Sequence, residues 1–165
     1  MNLWQKKKAQ SAMEYLMTYG WAILIIAVVL GALFSLGVFS SSSFLGTACV
    51  PQSGFLCTNP ILTTNTLTVT VGEATGQQWN TVTFFVVPTG SPTPSSPDGY
   101  PSNTVSPLYS GQQTTITMSN SGTNTILPSA IGTGFSGTIW AQYTPAGSPS
   151  STLLAEIGTV TAKVA

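Results

Sequence analysis

The sequence predicts an α+β protein in which a long hydrophobic N-terminal helix is followed by a small antiparallel β-sandwich head. Three observations predict it. No residue from Gly20 to Phe39 is charged. Beyond Ser43 the apolar residues change from a continuous run to strict alternation, as in Thr66–Val71. Segments of that alternating kind are separated by stretches rich in Gly, Pro, Ser and Asn, which are turn formers.

The elements follow in order. Residues 1–9 form a polar, cationic block ending in Lys6, Lys7, Lys8 and Ala9. A helix is expected from about Gln10 to about Ser40, within a hydrophobic segment spanning residues 10–43. Its uncharged stretch of twenty residues (GWAILIIAVVLGALFSLGVF) is about 30 Å long as a helix, the thickness of a bilayer's hydrocarbon core. It is apolar all round, so lipid or other helices must cover it. Tyr15, Tyr19 and Trp21 suit the interfacial aromatic belt of a membrane helix, and Gly20, Gly31 and Gly37 either permit close helix approach or local unwinding or are simply tolerated in an apolar setting. The lysine cluster in front of it predicts a cytoplasmic N-terminus, with everything after Phe39 outside the cell. A secretory signal peptide also begins with basic residues and an apolar core, but its core is shorter, roughly seven to fifteen residues. An uncleaved signal anchor is the other alternative.

Ser40 to Ser43 reads as a flexible exit from the helix. The head then spans residues 44–165. Its strands are expected at Thr66–Val71, with Leu67, Val69 and Val71 on one face and threonines on the other, and at Thr81–Val87, Gln113–Met118, Thr138–Tyr143 and Leu153–Val164. Pro88–Pro101 (PTGSPTPSSPDGYP) reads as a long exposed loop, with a turn at Asp98-Gly99. A binding loop or an O-glycosylated patch is the alternative. No Asn-x-Ser/Thr acceptor occurs in the chain, so any glycan is expected to be O-linked.

Composition restricts the chemistry. Charged residues are 5% of the chain, against about a quarter in ordinary soluble domains. After Ala9 there is one lysine, Lys163, against Glu14, Glu73, Asp98 and Glu156, a net charge of −3. Such a surface lacks the basic footprint of a nucleic-acid partner. The chain has no histidine, so the commonest general base and metal ligand are missing, and no cofactor, metal or catalytic residue is expected. Glu73, Asp98 and Glu156 fall on or beside strands and a turn, where solvent exposure is the ordinary expectation. Cys49 and Cys57 are too far apart for a redox C-x-x-C and lack partners for zinc. A disulfide is expected; two buried free thiols are the alternative.

The most informative stretch is Lys6-Lys-Lys-Ala-Gln-Ser-Ala-Met-Glu-Tyr-Leu16, which runs directly into the apolar helix. It resembles the class III signal of archaeal type IV pilins, in which a basic leader ends in a small residue, a Gln becomes the new N-terminus and a Glu follows four residues later. Those positions are Ala9, Gln10 and Glu14. The resemblance covers about the first forty residues. It implies that a membrane-embedded prepilin peptidase cuts between Ala9 and Gln10, and that the helix is retained and polymerises. Ile23, Leu24, Ile26, Val28, Leu30, Leu33 and Phe34 would then form the filament core. A carboxylate buried in such a core needs a partner. Cleavage creates one, so the amine of Gln10, of a neighbouring subunit or its own, is expected to pair with Glu14; a carboxylate solvated at the lipid headgroup boundary, with no specific partner, is the alternative. The function implied is a structural, self-assembling surface subunit serving adhesion. A membrane-anchored surface solute-binding protein or an archaellum-like filament subunit would use the same leader.

Overall fold

The computed structural model describes residues 3–36, 46–120, 124–148 and 150–165, with the side chains of 3–12 and 16 outside the description. The chain divides into two compact units, Met1–Ser43 and Phe44–Ala165.

In the first unit, helix α1 runs over Leu3–Ser35, so it begins about two turns before the expected start at Gln10. The cause is local. From Leu3 to Tyr19 there is neither Gly nor Pro, and Leu, Gln, Lys, Ala, Met and Glu are all strong helix formers. Leu36 closes the last turn, its N–H donating to the Ala32 carbonyl at 3.0 Å. The expected continuation to Ser40 and the serine run at 40–43 lie outside the described residues.

The second unit is one antiparallel sheet of eight strands: β1 (Ala48–Pro51), β2 (Phe55–Thr63), β3 (Thr66–Glu73), β4 (Trp79–Pro88), β5 (Ser102–Val105), β6 (Gln113–Ser119), β7 (Gly134–Pro145) and β8 (Leu153–Lys163). Their order is β1-β8-β7-β4-β5-β6-β3-β2. The sheet curls so that its two ends meet, making a nearly closed barrel. The expected sandwich of two separate sheets is not what forms, and the reason lies at one joint. Strands β5 and β6 pair only at Ser102 and Ser119, with Asn103 Nδ2 donating to the Thr117 carbonyl at 3.0 Å. The five-strand and three-strand parts are thus hinged at a corner instead of being independent layers.

Alternation fills the interior. Leu67, Val69 and Val71 of β3, Val82, Phe84 and Val86 of β4, Ile116 and Met118 of β6, and Ile139 and Ala141 of β7 are all buried in one core. Trp79 lies in the same core, stacked on Tyr143 with ring centroids 4.0 Å apart and 15° between planes. On the opposite face of β3 and β6, threonine hydroxyls pair across the strands, Thr68 with Thr117 and Thr70 with Thr115, each at 3.1 Å. Hydroxyl pairs of this kind let an almost uncharged surface stay wet.

All five expected strands are present, and β1, β2 and β5 are additional. Strand β2 contains Pro60, which has no N–H for a ladder. It is accommodated by an irregularity between Thr58 and Ile61, where Asn59 takes φ 55°. Gly158 of β8 serves the seam with β1: a Cβ there would lie 2.5 Å from the Val50 carbonyl oxygen.

The Pro88–Pro101 connection is largely exposed, as expected, but its return is packed. Phe85 and Val87 point outward from β4 and are nonetheless buried. Tyr100 lies over Phe85, with ring centroids 5.9 Å apart.

Candidate functional site

Within α1, Met13–Ser35 is a 23-residue span long and apolar enough to cross a membrane, and none of it is buried inside the chain. Ile23, Leu24, Ile26, Val28, Leu30 and Phe34 are exposed, and Leu33 is half-exposed. At 100° per residue, Ile23, Ile26, Leu30, Leu33 and Phe34 fall on one broad stripe, while Leu24 and Val28 fall on the other side. Apolar surface is therefore presented in more than one direction. A helix of this length with no internal cover is covered by lipid, by other helices, or by both.

Gln10 and Glu14 are spaced i, i+4 on α1, which sets them on one face a single turn apart. The backbone of Ala9 and Gln10 is helical; their side chains lie outside the described residues. In the uncut chain the nitrogen of residue 10 is an amide well inside the helix, so it offers Glu14 no charge. The Glu14 side chain is exposed. Its carbonyl accepts the Thr18 hydroxyl at 2.9 Å, and the Tyr15 and Tyr19 rings beside it lie 4.3 Å apart. An aromatic pair next to the single carboxylate of the span gives this end of the helix an amphipathic character that the rest lacks.

In the barrel, Cys49 of β1 and Cys57 of β2 are bonded to each other, with Cα atoms 5.7 Å apart. These strands are the two ends of the sheet order, so the disulfide crosses the seam where the barrel would otherwise open. Two further contacts close the seam lower down. Leu62 bridges Val164 in parallel fashion, and the Ala165 N–H donates to the Leu62 carbonyl at 3.0 Å. No cysteine is free.

The carboxylates of the head occupy different elements. Asp98 is exposed and accepts the Ser96 hydroxyl at 2.9 Å. Glu156 is half-buried on β8 and accepts from Gln52 Nε2 at 3.2 Å. Glu73 is a correction to the expectation of exposure: it is only 1% exposed. The alternation of β3 already carries the signal, because Glu73 is in phase with Leu67, Val69 and Val71 and so points inward. Its Oε1 accepts both the backbone N–H and the hydroxyl of Thr75, while Oε2 and the indole Nε1 of Trp79 are buried without a partner among the described residues. Among the described residues, no group of three or more His, Cys, Asp or Glu side chains gathers into a metal-binding arrangement.

No protein-family model matches the chain. No curated protein matches it either. Among solved structures, the Salmonella enterica trimeric lipoprotein SadB is similar to it at 12% identity over 95% of this chain and 83% of that chain, with a TM-score of 0.24, too low to indicate a common fold.

Proposed function

We propose that this chain is the precursor of an archaeal type IV pilin, a structural subunit that is trimmed at its cationic leader and polymerised through its N-terminal helix. One observation carries the reading: a 23-residue apolar span with no cover inside its own chain follows closely on Lys6–Lys8, Ala9 and Gln10, and carries Glu14 at its second position.

The physical sequence is as follows. In the membrane the helix is solvated by lipid, with the lysines on the cytoplasmic side and the barrel exported. A prepilin peptidase removes residues 1–9. Because the bond between Ala9 and Gln10 sits inside a helical turn, that turn opens before it is cut. The amine so released at Gln10 pairs with Glu14, of its own or a neighbouring subunit, and compensates a charge that would be expensive in an apolar bundle. Moving from lipid to a bundle of like helices changes little apolar exposure. In a filament standing in water the same surface, at about 25 cal/mol per Å2, makes loss of a subunit very unfavourable. The partners are further copies of this chain, the peptidase, the membrane before assembly and, on the Ser/Thr-rich outer face, O-linked glycan. The role is adhesion.

Electron microscopy of appendages sheared from cells that make this chain, with mass spectrometry of their subunit, tests the proposal. Thin helical filaments built of this chain are expected. Appendage fractions that never contain it, while it is abundant in the membrane, contradict the proposal.

A further inference from the structure

A second site lies on the outer face of the barrel and does not depend on polymerisation. Phe85 of β4 is paired with Trp140 of β7, and Trp140 is paired with Glu156 of β8. The interior positions of β7 are Phe135, Ile139 and Ala141, so Trp140 points outward, and the three side chains form one row across the sheet. The proline-rich connection closes the Phe85 end of that row, through Tyr100. Beyond Phe85 it leaves a cavity of about 140 Å3 walled by Trp140, Glu156, Thr138, Thr89, Ser91 and Thr93.

Trp140 is half-buried, and its indole N–H has no hydrogen-bond partner among the described residues. An outward tryptophan is not needed by the core, which is filled from the other face of β7. Glu156, the cross-strand partner of Trp140 on the same cavity wall, holds one oxygen in the bond from Gln52 and leaves Oε2 without a protein partner among the described residues. Four hydroxyl residues, Thr89, Ser91, Thr93 and Thr138, each able to donate and to accept, share the remaining walls with Val87, Gly90 and three prolines, and no Lys or Arg lines the cavity. An aromatic face attracts polarised C–H groups through its quadrupole. Acceptors and hydroxyls at its rim match a ligand with O–H groups around its edge. A quaternary ammonium would use the ring and the carboxylate but leave the hydroxyl walls without partners. The volume is well under the roughly 300–1,000 Å3 of pockets that engulf a drug-sized ligand, so it admits a single ring.

The geometry points to a binding site for a neutral pyranose, one sugar ring stacked on Trp140 with its hydroxyls shared between Glu156 and the Thr/Ser wall. One such contact is weak by itself. A surface bearing many copies of the chain would bind a sugar-coated surface far more tightly than one copy does.

Saturation-transfer NMR on the full-length chain in detergent micelles, with methyl β-galactoside and methyl β-glucoside as probes and tetramethylammonium as control, tests the site. Transfer is expected to the ring C–H protons of at least one glycoside. Trp140→Ala is expected to weaken the binding at least about tenfold, with Trp140→Phe retaining most of it and Glu156→Gln reducing it without altering the fold. Because Glu156 is half-exposed, that variant still decides the matter if Trp140→Ala proves unstable. The inference is overturned if neither glycoside receives saturation, if transfer is the same in Glu156→Gln and wild type, or if tetramethylammonium alone binds.

Discussion

Glu14 and Trp79 show how differently single residues contribute to the two units. The Glu14 side chain does no visible work for the fold: its carboxyl is exposed, and beyond the helical ladder its backbone carbonyl accepts the Thr18 hydroxyl. Its proposed work begins when a neighbouring helix excludes water, because an unpaired carboxylate in that setting is strongly unfavourable. Glu14→Gln keeps the shape and removes the charge. The variant precursor is therefore expected to be made and trimmed normally, while filaments counted per cell by electron microscopy fall by more than about tenfold; normal filament numbers would remove the pairing from the account. Trp79 is the opposite case. It is 1% exposed, stacks on Tyr143 and lies 6.0 Å from the Phe55 ring, tying β2, β4 and β7 together at one place. Trp79→Ala is expected to lower barrel stability by about 3–5 kcal/mol in denaturant titration. The half-exposed Tyr109, changed to Ala, is expected to shift it by less than about 0.5 kcal/mol. Glu73 shows what residue type conceals and position reveals: a carboxylate reads as a surface group, yet the period-2 phase of β3 carries it inside.

Elements were legible in the sequence in proportion to how much of their stability is local. Strands β3, β6 and β7 alternate cleanly, since each has one face in the core and one facing out, and β4 and β8 are long runs rich in β-branched or aromatic residues. Strand β1 is four residues long and ends at Pro51, β5 is four residues long, and β2 is broken by Asn59-Pro60; none shows a period long enough to recognise. The start of α1 was misplaced because the lysine block looked like a separate leader, while helix propensity continues through it. What the sequence did not reveal is closure. Whether strands form two layers or one wound sheet depends on non-local contacts, above all those of β1 with β2 across the Cys49–Cys57 bond and of Leu62 with Val164. The bond encloses a short loop, so chain entropy predicts about 2–3 kcal/mol of stabilisation. Reduction of the full chain in micelles is expected to lower the barrel's unfolding free energy, read from its urea transition, by that amount, with a corresponding fall in the midpoint, leaving the helical far-UV signal in place. A midpoint unmoved by reductant would show that the seam is held by the strands and the Leu62–Val164 bridge alone.

At the scale of the whole molecule, two compact units treat their apolar surface in opposite ways. The barrel hides its apolar residues in a core of its own and presents hydroxyls and amides, with few charges. Among its described residues, the helix buries none of its apolar span. A protein of this construction is soluble only while something else covers its first unit, and lipid and sister helices can do so in turn. The fate of the N-terminus distinguishes a trimmed chain that retains its helix from a secreted barrel and from an uncut anchor. N-terminal sequencing of the subunit recovered from surface filaments tests this most directly. The account predicts a chain that starts at Gln10 and still contains the Met13–Ser35 span; a start at Met1, or at any residue beyond Phe39, would contradict it.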